Sequence, residues 1–447
     1  MTIYHFFYVP LTIGLAYLLS IMETAYVITG DNTYKRMTQF FGKLFLLNFA
    51  VGVVTGIFQE FQFGMNWSDY SRFVGDVFGA PLAIESLAAF FLESTFLGVW
   101  LFGWDRVSKK VHLASIWLVA IGTTLSAFWI LTANAFMQEP VGYTLRGGHA
   151  EMSNFFALIS SVQQWLEFPH VLFGAWTTGA FFVLGVSAYQ LLRKRSVKVF
   201  RRSFRIAATV GALASVLTAI IGHGQAQHLV TAQPMKIAAA EALWNTSPEH
   251  APLTVFALIN DEKEQNTFKI EIPYGLSVLA HNRLSGDVIG INQIQKQYEQ
   301  KYGPGNYVPP VRTTFWSFRV MVLAGSLMIL FTLYGVYLSM RDKLENRPFY
   351  LKTLVWMIPL PFIANSAGWL MTEVGRQPWV VFGLLKTANG VSPTVPAGMV
   401  LTSYVGLTLV YALLLVLDIY LFSKAISQGP DEEEPGTRAS KTVVPSL

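Results

Sequence analysis

Nine stretches of this chain are apolar over about 20 residues or more, the length an α-helix needs to cross the hydrocarbon core of a bilayer. They run 4–28, 39–59, 81–104, 111–137, 170–192, 206–229, 319–340, 353–372 and 398–423. In hydrocarbon every backbone N–H and C=O must be satisfied without water, so long apolar runs of this kind have to be helices. The predicted fold is therefore an all-α integral membrane protein with nine transmembrane helices. Composition agrees: 13% of the 447 residues are charged, about half the roughly 25% of soluble domains. The first stretch lacks a basic start and a small-residue cleavage site, so it is expected to be a span and not a leader. Cysteine is absent, which excludes disulfides, thiolate metal sites, iron–sulfur clusters and covalently attached haem. Any cofactor must be held by His, Met or carboxylate. No P-loop, dinucleotide-binding or haem–copper pattern appears, and no internal repeat.

The connections set the orientation. Those after the first, third, fifth and seventh spans carry 16 Lys and Arg, seven of them between Arg193 and Arg205. The second, fourth and eighth carry only Arg72, Arg146, Arg376 and Lys386. Basic loops stay in the cytoplasm, so the N-terminus is expected outside and the C-terminus inside. The net charge of +5 then reflects cytoplasmic loops and does not point to nucleic acid. Four segments follow: helices 1–6 over 1–229, a long outer loop over 230–318, helices 7–9 over 319–424, and a cytoplasmic, disordered tail over 425–447 with acids at Asp431–Glu434. A connection as long as 230–318 is usually functional or disordered. Its part Phe268–Ala280 alternates apolar and polar residues and is expected to fold over the bundle.

Ionisable residues inside spans are functional candidates. His5, Glu85, His170, Met321 and Glu373 all fall near the outer ends of their spans. These five can bind iron, and they lie at one level. Imidazole paired with thioether is a haem ligation that raises the reduction potential. Taken singly, each has a plainer reading. A His at the interface can be an anchor, a Met can be core packing, and Glu373 can pair with Arg376. A second set runs along the depth axis. Glu93 lies eight residues after Glu85, about 12 Å further in, and Ser126 lies about 21 Å outward from His112 on one helix. Together they could carry protons from the cytoplasm, or simply bond neighbouring helices. Lys43, Glu23 and Asp418 are further intramembrane charges, for which structural pairing is the default.

Along nearly its whole length the chain resembles subunit I of the cytochrome bd-type quinol oxidases. The resemblance rests on Tyr4-His5-Phe6-Phe7-Tyr8-Val9-Pro10-Leu11-Thr12, Gly42-Lys43-Leu44-Phe45 and Glu60-Phe61-Gln62-Phe63-Gly64-Met65-Asn66-Trp67-Ser68. It continues in Val74-Gly75-Asp76-Val77-Phe78-Gly79-Ala80-Pro81-Leu82-Ala83-Ile84-Glu85, Phe90-Phe91-Leu92-Glu93-Ser94-Thr95-Phe96 and Gly375-Arg376-Gln377-Pro378-Trp379. It implies a subunit with a low-spin haem b, a high-spin haem b and a haem d that oxidises quinol and reduces dioxygen to water. His170 and Met321 resemble the axial ligands of the low-spin haem, Arg319 the arginine that balances its charge, and His5 and Glu373 the ligands of the two high-spin haems. Arg376 belongs to the same matching pentapeptide. Glu85 resembles the carboxylate beside the oxygen-reducing haem, and Trp369 the aromatic between haems. Glu93, Ser126 and His112 match proton-feeding positions, while Lys236 and Glu241 match substrate-sensitive positions of the quinol-binding loop. That loop lacks the insertion of the long-loop branch, so a short-loop member is expected. Family members also extend further ahead of the motif holding His5, so span 1 is expected either to be trimmed or to start upstream.

The resemblance further implies a subunit II, a small single-span subunit, lipid contact and a prokaryotic plasma membrane. Protons for water come from inside, and potential arises without pumping. A variant with haem b in place of haem d is the alternative within the family. Outside it, the rivals are an ion transporter using Glu85, Glu93 and Lys43, or a scaffold for another catalytic subunit. A transporter commonly shows repeated halves, and none is visible here.

Overall fold

The computed structural model describes residues 2–247 and 249–430; of the tail expected over 425–447, the part up to Gln428 instead continues the last helix, while Asp431–Glu434 and the residues after them lie outside the described residues. Among the described residues nine helical segments are long and apolar enough to cross a membrane: Thr2–Thr29, Asn32–Met65, Ser68–Phe102, Lys109–Gln138, Val162–Leu192, Val197–Ala232, Val311–Met340, Pro348–Val374 and Ala397–Gln428. They are called spans 1 to 9. Several begin where the sequence supplies a cap. The side chains of Asp31, Ser108 and Ser161 accept hydrogen bonds from the backbone N–H of Thr33, Val111 and Gln164, satisfying donors that a first helical turn leaves open.

Spans 1 and 5 form the centre of the bundle and are its most enclosed helices. They cross at Gly14 and Gly179, where a Cβ on Gly179 would lie 2.5 Å from the backbone of Gly14. Only small residues let two helix backbones come so close in a membrane. Phe41, Phe45, Phe181, Phe200 and Phe204 fill the surrounding core.

The two ends of the bundle differ. At one end Asp31 between spans 1 and 2 pairs with Arg202 at the start of span 6 (2.6 Å), and Arg205 and Arg201 pair with Asp342 and Glu345 between spans 7 and 8. Lys35 and Lys109 lie over the rings of Trp104 and Tyr26. All four basic connections thus meet at this basic end. The opposite, loop end carries the long connection between spans 6 and 7. It holds a helix Pro234–Ala240, an antiparallel hairpin of Leu253–Asn260 with Gln265–Ile272, and helices Gly275–His281 and Ile291–Tyr302. Trp244, Ile259, Ile294, Tyr298 and Tyr307 build a core of its own that continues into Phe315 and Trp379. The alternating segment Phe268–Ala280 supplies the second strand and the following helix, whose Leu276 and Ala280 pack with Val230 of span 6.

The helices outrun the apolar stretches. Span 5 begins at Val162 and span 7 at Val311, eight residues before the starts at 170 and 319 read from hydropathy. The added turns are polar, with Gln163, Gln164 and Glu167 buried in the first and Thr314 and Ser317 in the second. Hydropathy cannot tell a polar residue facing a neighbouring helix from one in a loop. His170, Arg319 and Met321 therefore lie inside their helices and not at their starts. Span 3 is interrupted by a π-helical turn, Glu85–Phe90, so the rise from Glu85 to Glu93 is not that of a uniform α-helix.

Candidate functional site

His170 projects from span 5 towards span 6. Its Nδ1 lies 3.0 Å from the carbonyl of Thr218; a carbonyl only accepts, so Nδ1 donates and Nε2 keeps its lone pair. A Cβ on Gly222 would lie 3.0 Å from His170 Cε1, and one on Gly368 would lie 3.0 Å from Sδ of Met321. Each donor thus lies where the neighbouring helix has no side chain. His5 repeats the arrangement. Its Nδ1 is 2.9 Å from Oγ1 of Thr55, whose hydroxyl donates to the Gly52 carbonyl, so the Thr55 oxygen accepts and Nε2 of His5 is free. Gly56 is the glycine beside this ring. Such outer hydrogen bonds fix the tautomer and aim of a metal-binding imidazole.

Glu373 lies at the centre of the polar cluster at the loop end. Asn134 and Gln138 of span 4 donate to its Oε1 at 3.2 and 3.0 Å, and Arg376 pairs with Oε2. The salt bridge to Arg376, weighed above as the plain reading, is present. The second terminal nitrogen of Arg376, Nη1, is buried with no hydrogen-bond partner. Lys236 reaches the same cluster from the helix after span 6, donating to Gln138 Oε1 at 2.6 Å. Burial pushes the Lys236 ammonium down to about 7, helped by the charge of Arg376 and opposed by Glu373 and Glu167. Lys236 and Glu241 do not pair with each other. Glu241 bonds Arg319 at 2.7 Å, and burial pushes its carboxyl up while Arg319 pulls it down. Arg319, matched to a haem-balancing arginine, is therefore tied directly to the loop.

On the other side, Ser126 of span 4 donates to Glu85 Oε1 at 2.6 Å. Glu93 is buried against Gly122 of span 4 and makes no hydrogen bond among the described residues. Phe6, next to His5, packs edge-on against Trp369, with ring centres 5.0 Å apart. His112 lies apart, towards the basic end. Its Nδ1 is 2.6 Å from Glu23 Oε1 and its Nε2 2.8 Å from the Trp100 carbonyl, while Trp100 Nε1 donates to Glu23 Oε2 at 2.7 Å.

Sequence reading missed Glu167, Gln138, Asn134 and Gln233, which knit the loop end together. Gln163, Gln164 and Glu167 follow helical spacing on one face, a signal that was present but lay outside the apolar stretch. Gln163 donates to Glu167 at 3.1 Å, and Gln233 donates to the Gln138 carbonyl at 2.5 Å.

The donor set fits haem. A porphyrin brings four equatorial nitrogens and asks the protein for one or two axial donors, and His170, Met321 and His5 are offered singly with free donor atoms. The unpartnered guanidinium nitrogen of Arg376 suits an anionic group nearby. Among the described residues, a bundle of membrane-length helices offering such donors has the make-up of a haem-binding membrane protein.

The comparisons give the family. The model for cytochrome bd terminal oxidase subunit I matches residues 1–430. The chain is 55% identical over 432 residues to cytochrome bd ubiquinol oxidase subunit 1 of Bacillus subtilis, covering 97% of this chain and 92% of that one. It is 39% identical over 486 residues to cytochrome bd-II ubiquinol oxidase subunit 1 of Escherichia coli, covering 96% and 94%. The solved structure of bd oxidase from Geobacillus thermodenitrificans matches with a TM-score of 0.87 at 30% identity over 96% of each chain. The chain belongs to the cytochrome bd terminal oxidase subunit I family. It is subunit I of a quinol:oxygen oxidoreductase and a multi-pass membrane protein, and its subunit number implies a second subunit.

Proposed function

We propose that quinol is oxidised at the loop end, facing outside, and that dioxygen is reduced to water with protons drawn from the basic, cytoplasmic end of a prokaryotic plasma membrane. The observation that carries this is the pair of seated donors, His170 with Nε2 free and Met321 against Gly368. His170 and Met321 would hold a low-spin haem b, and His5 and Glu373 the two high-spin haems, one b and one d in either order, with Arg319 and Arg376 balancing charge. When bound, these haems supply electron transfer and oxygen chemistry. Trp369, on the helix that also carries Glu373, packs against Phe6 beside His5. Glu93 holds the proton that Ser126 and Glu85 pass on, and His112, locked to Glu23, closes the basic end. Lys236 and Glu241 fix the floor of the quinol site through Gln138 and Arg319. The lightly enclosed spans 3 and 9 offer faces to subunit II, a single-span subunit and lipid.

Separating the two half-reactions in this way moves charge across the membrane, worth about 2.3 kcal/mol per charge per 100 mV, without a pump. The test is the complete oxidase in sealed vesicles with its loop end outward. Quinol addition is expected to acidify the outside, consume protons inside and build a potential. Proton release and uptake on the same side contradict the proposal.

A further inference from the structure

Lys236 and Glu241 are 3% and 1% exposed and already bonded to Gln138 and Arg319. Neither can be the first group to meet an arriving quinol hydroxyl. One titratable pair at the same end is both oriented and reachable. His228, in the last turns of span 6, places Nε2 2.7 Å from Oε2 of Glu139, with 17% and 35% of the two side chains exposed. The carboxylate accepts, so Nε2 carries the hydrogen and Nδ1 keeps its lone pair. No hydrogen bond reaches that Nδ1 among the described residues. An imidazole held in one tautomer by a carboxylate is the arrangement of a general base. The pair also borders the buried cluster. Glu139 follows Gln138, which bonds Lys236, Glu373 and Gln233.

We propose that His228, oriented by Glu139, accepts a proton from quinol. This rests on the reading that quinol is oxidised at the loop end. A quinol O–H bond breaks and the proton moves to Nδ1 of His228, while the haem that His170 and Met321 would hold would supply the acceptor for the electron. Two such losses turn quinol into quinone with release of two protons and two electrons. Glu139 balances the imidazolium, which then yields its proton to solvent. The elements packed around this end supply the other titratable groups: Glu167 from span 5, Lys236 from the following helix, His281 from the Gly275–His281 helix, Arg319 from span 7, and His223 on span 6 itself. None of these hydrogen-bonds His228.

The experiment uses the complete purified oxidase, a short-chain ubiquinol as substrate, and tetramethyl-p-phenylenediamine as an artificial donor. Wild type is compared with His228→Ala, His228→Asn, Glu139→Gln and Lys236→Ala across the pH range. The proposal expects His228→Ala and His228→Asn to lower ubiquinol kcat about 100-fold, with KM, haem spectra and artificial-donor activity retained. Added imidazole should restore part of the rate in the Ala variant, and Glu139→Gln should shift the acid limb of the pH profile. Wild-type kcat and pH profile in both His228 variants overturn the proposal, as does an equal loss with the artificial donor. If Lys236→Ala is impaired while the His228 variants are normal, quinol oxidation at the loop end stands and only His228 is excluded. If all four variants oxidise ubiquinol normally, both readings fall.

Discussion

Two buried polar sets, one at each end of the bundle, show how differently a membrane protein can use the same side chains. Near the basic end, Glu23, His112 and Trp100 form a closed circuit: both oxygens of Glu23 and both nitrogens of His112 are hydrogen-bonded. At the loop end, charges outnumber their partners. Arg376 Nη1 and Glu241 Oε1 are buried without partners, and Lys236 has only the amide oxygen of Gln138. A buried polar network that is fully satisfied fixes a structure, whereas a half-satisfied one is costly. The loop-end cluster leaves polar atoms unpaired among the described residues, whereas the basic-end trio closes on itself.

Glu93 shares this incompleteness, and replacing it should give the largest effect. Glu93→Gln is expected to cut oxygen consumption by about 100-fold or more with little change in thermal midpoint. Wild-type turnover would move Glu93 into the structural set. Met321→Leu conserves volume and should cost less than about 1.5 kcal/mol of stability, while the low-spin haem falls in potential or becomes high-spin. A redox titration with an unchanged low-spin midpoint removes Met321 from the ligands.

Glu23→Gln should show the reverse pattern. Loss of its charged hydrogen bonds is expected to lower stability by about 1–3 kcal/mol, read from chemical or thermal unfolding, with turnover close to wild type. A stable but inactive variant would break the contrast between the two ends. The smallest effect concerns Lys236, whose ammonium is pushed from 10.5 down to about 7. Below that pH it is charged, donates to Gln138 and balances Glu373 and Glu167. Above it the charge is lost, so KM for quinol should rise severalfold as pH climbs through about 7. Lys236→Met should hold the high KM at every pH. Unfolded Lys keeps its proton up to about 10.5, so the wild type should also gain stability between about 7 and 10.5, and the variant should not.

Much of this was legible in the sequence. The nine spans, the clustering of basic connections at one end and the Glu373–Arg376 pair all follow from hydropathy, charge and spacing. Hydropathy marks only the lipid-facing part of each helix, so the polar first turns of spans 5 and 7, and with them Glu167, carry no signal of a span. The π-turn at Glu85–Phe90 leaves no pattern in apolar periodicity. The Glu241–Arg319 and His228–Glu139 pairs join residues far apart in sequence, and no spacing rule reaches across a fold that the chain has yet to make. Glu23 and His112 were visible as intramembrane groups, but only the structure shows that they complete each other.

The most direct test of the account is a reduced-minus-oxidised absorption spectrum of the purified oxidase, reduced anaerobically with quinol, for wild type and His170→Ala. The account predicts two b-type signals and one d-type signal in the wild type, with only the low-spin b signal lost in the variant. A featureless wild-type spectrum, or a variant spectrum that matches it signal for signal, contradicts the assignment of haem to these helices.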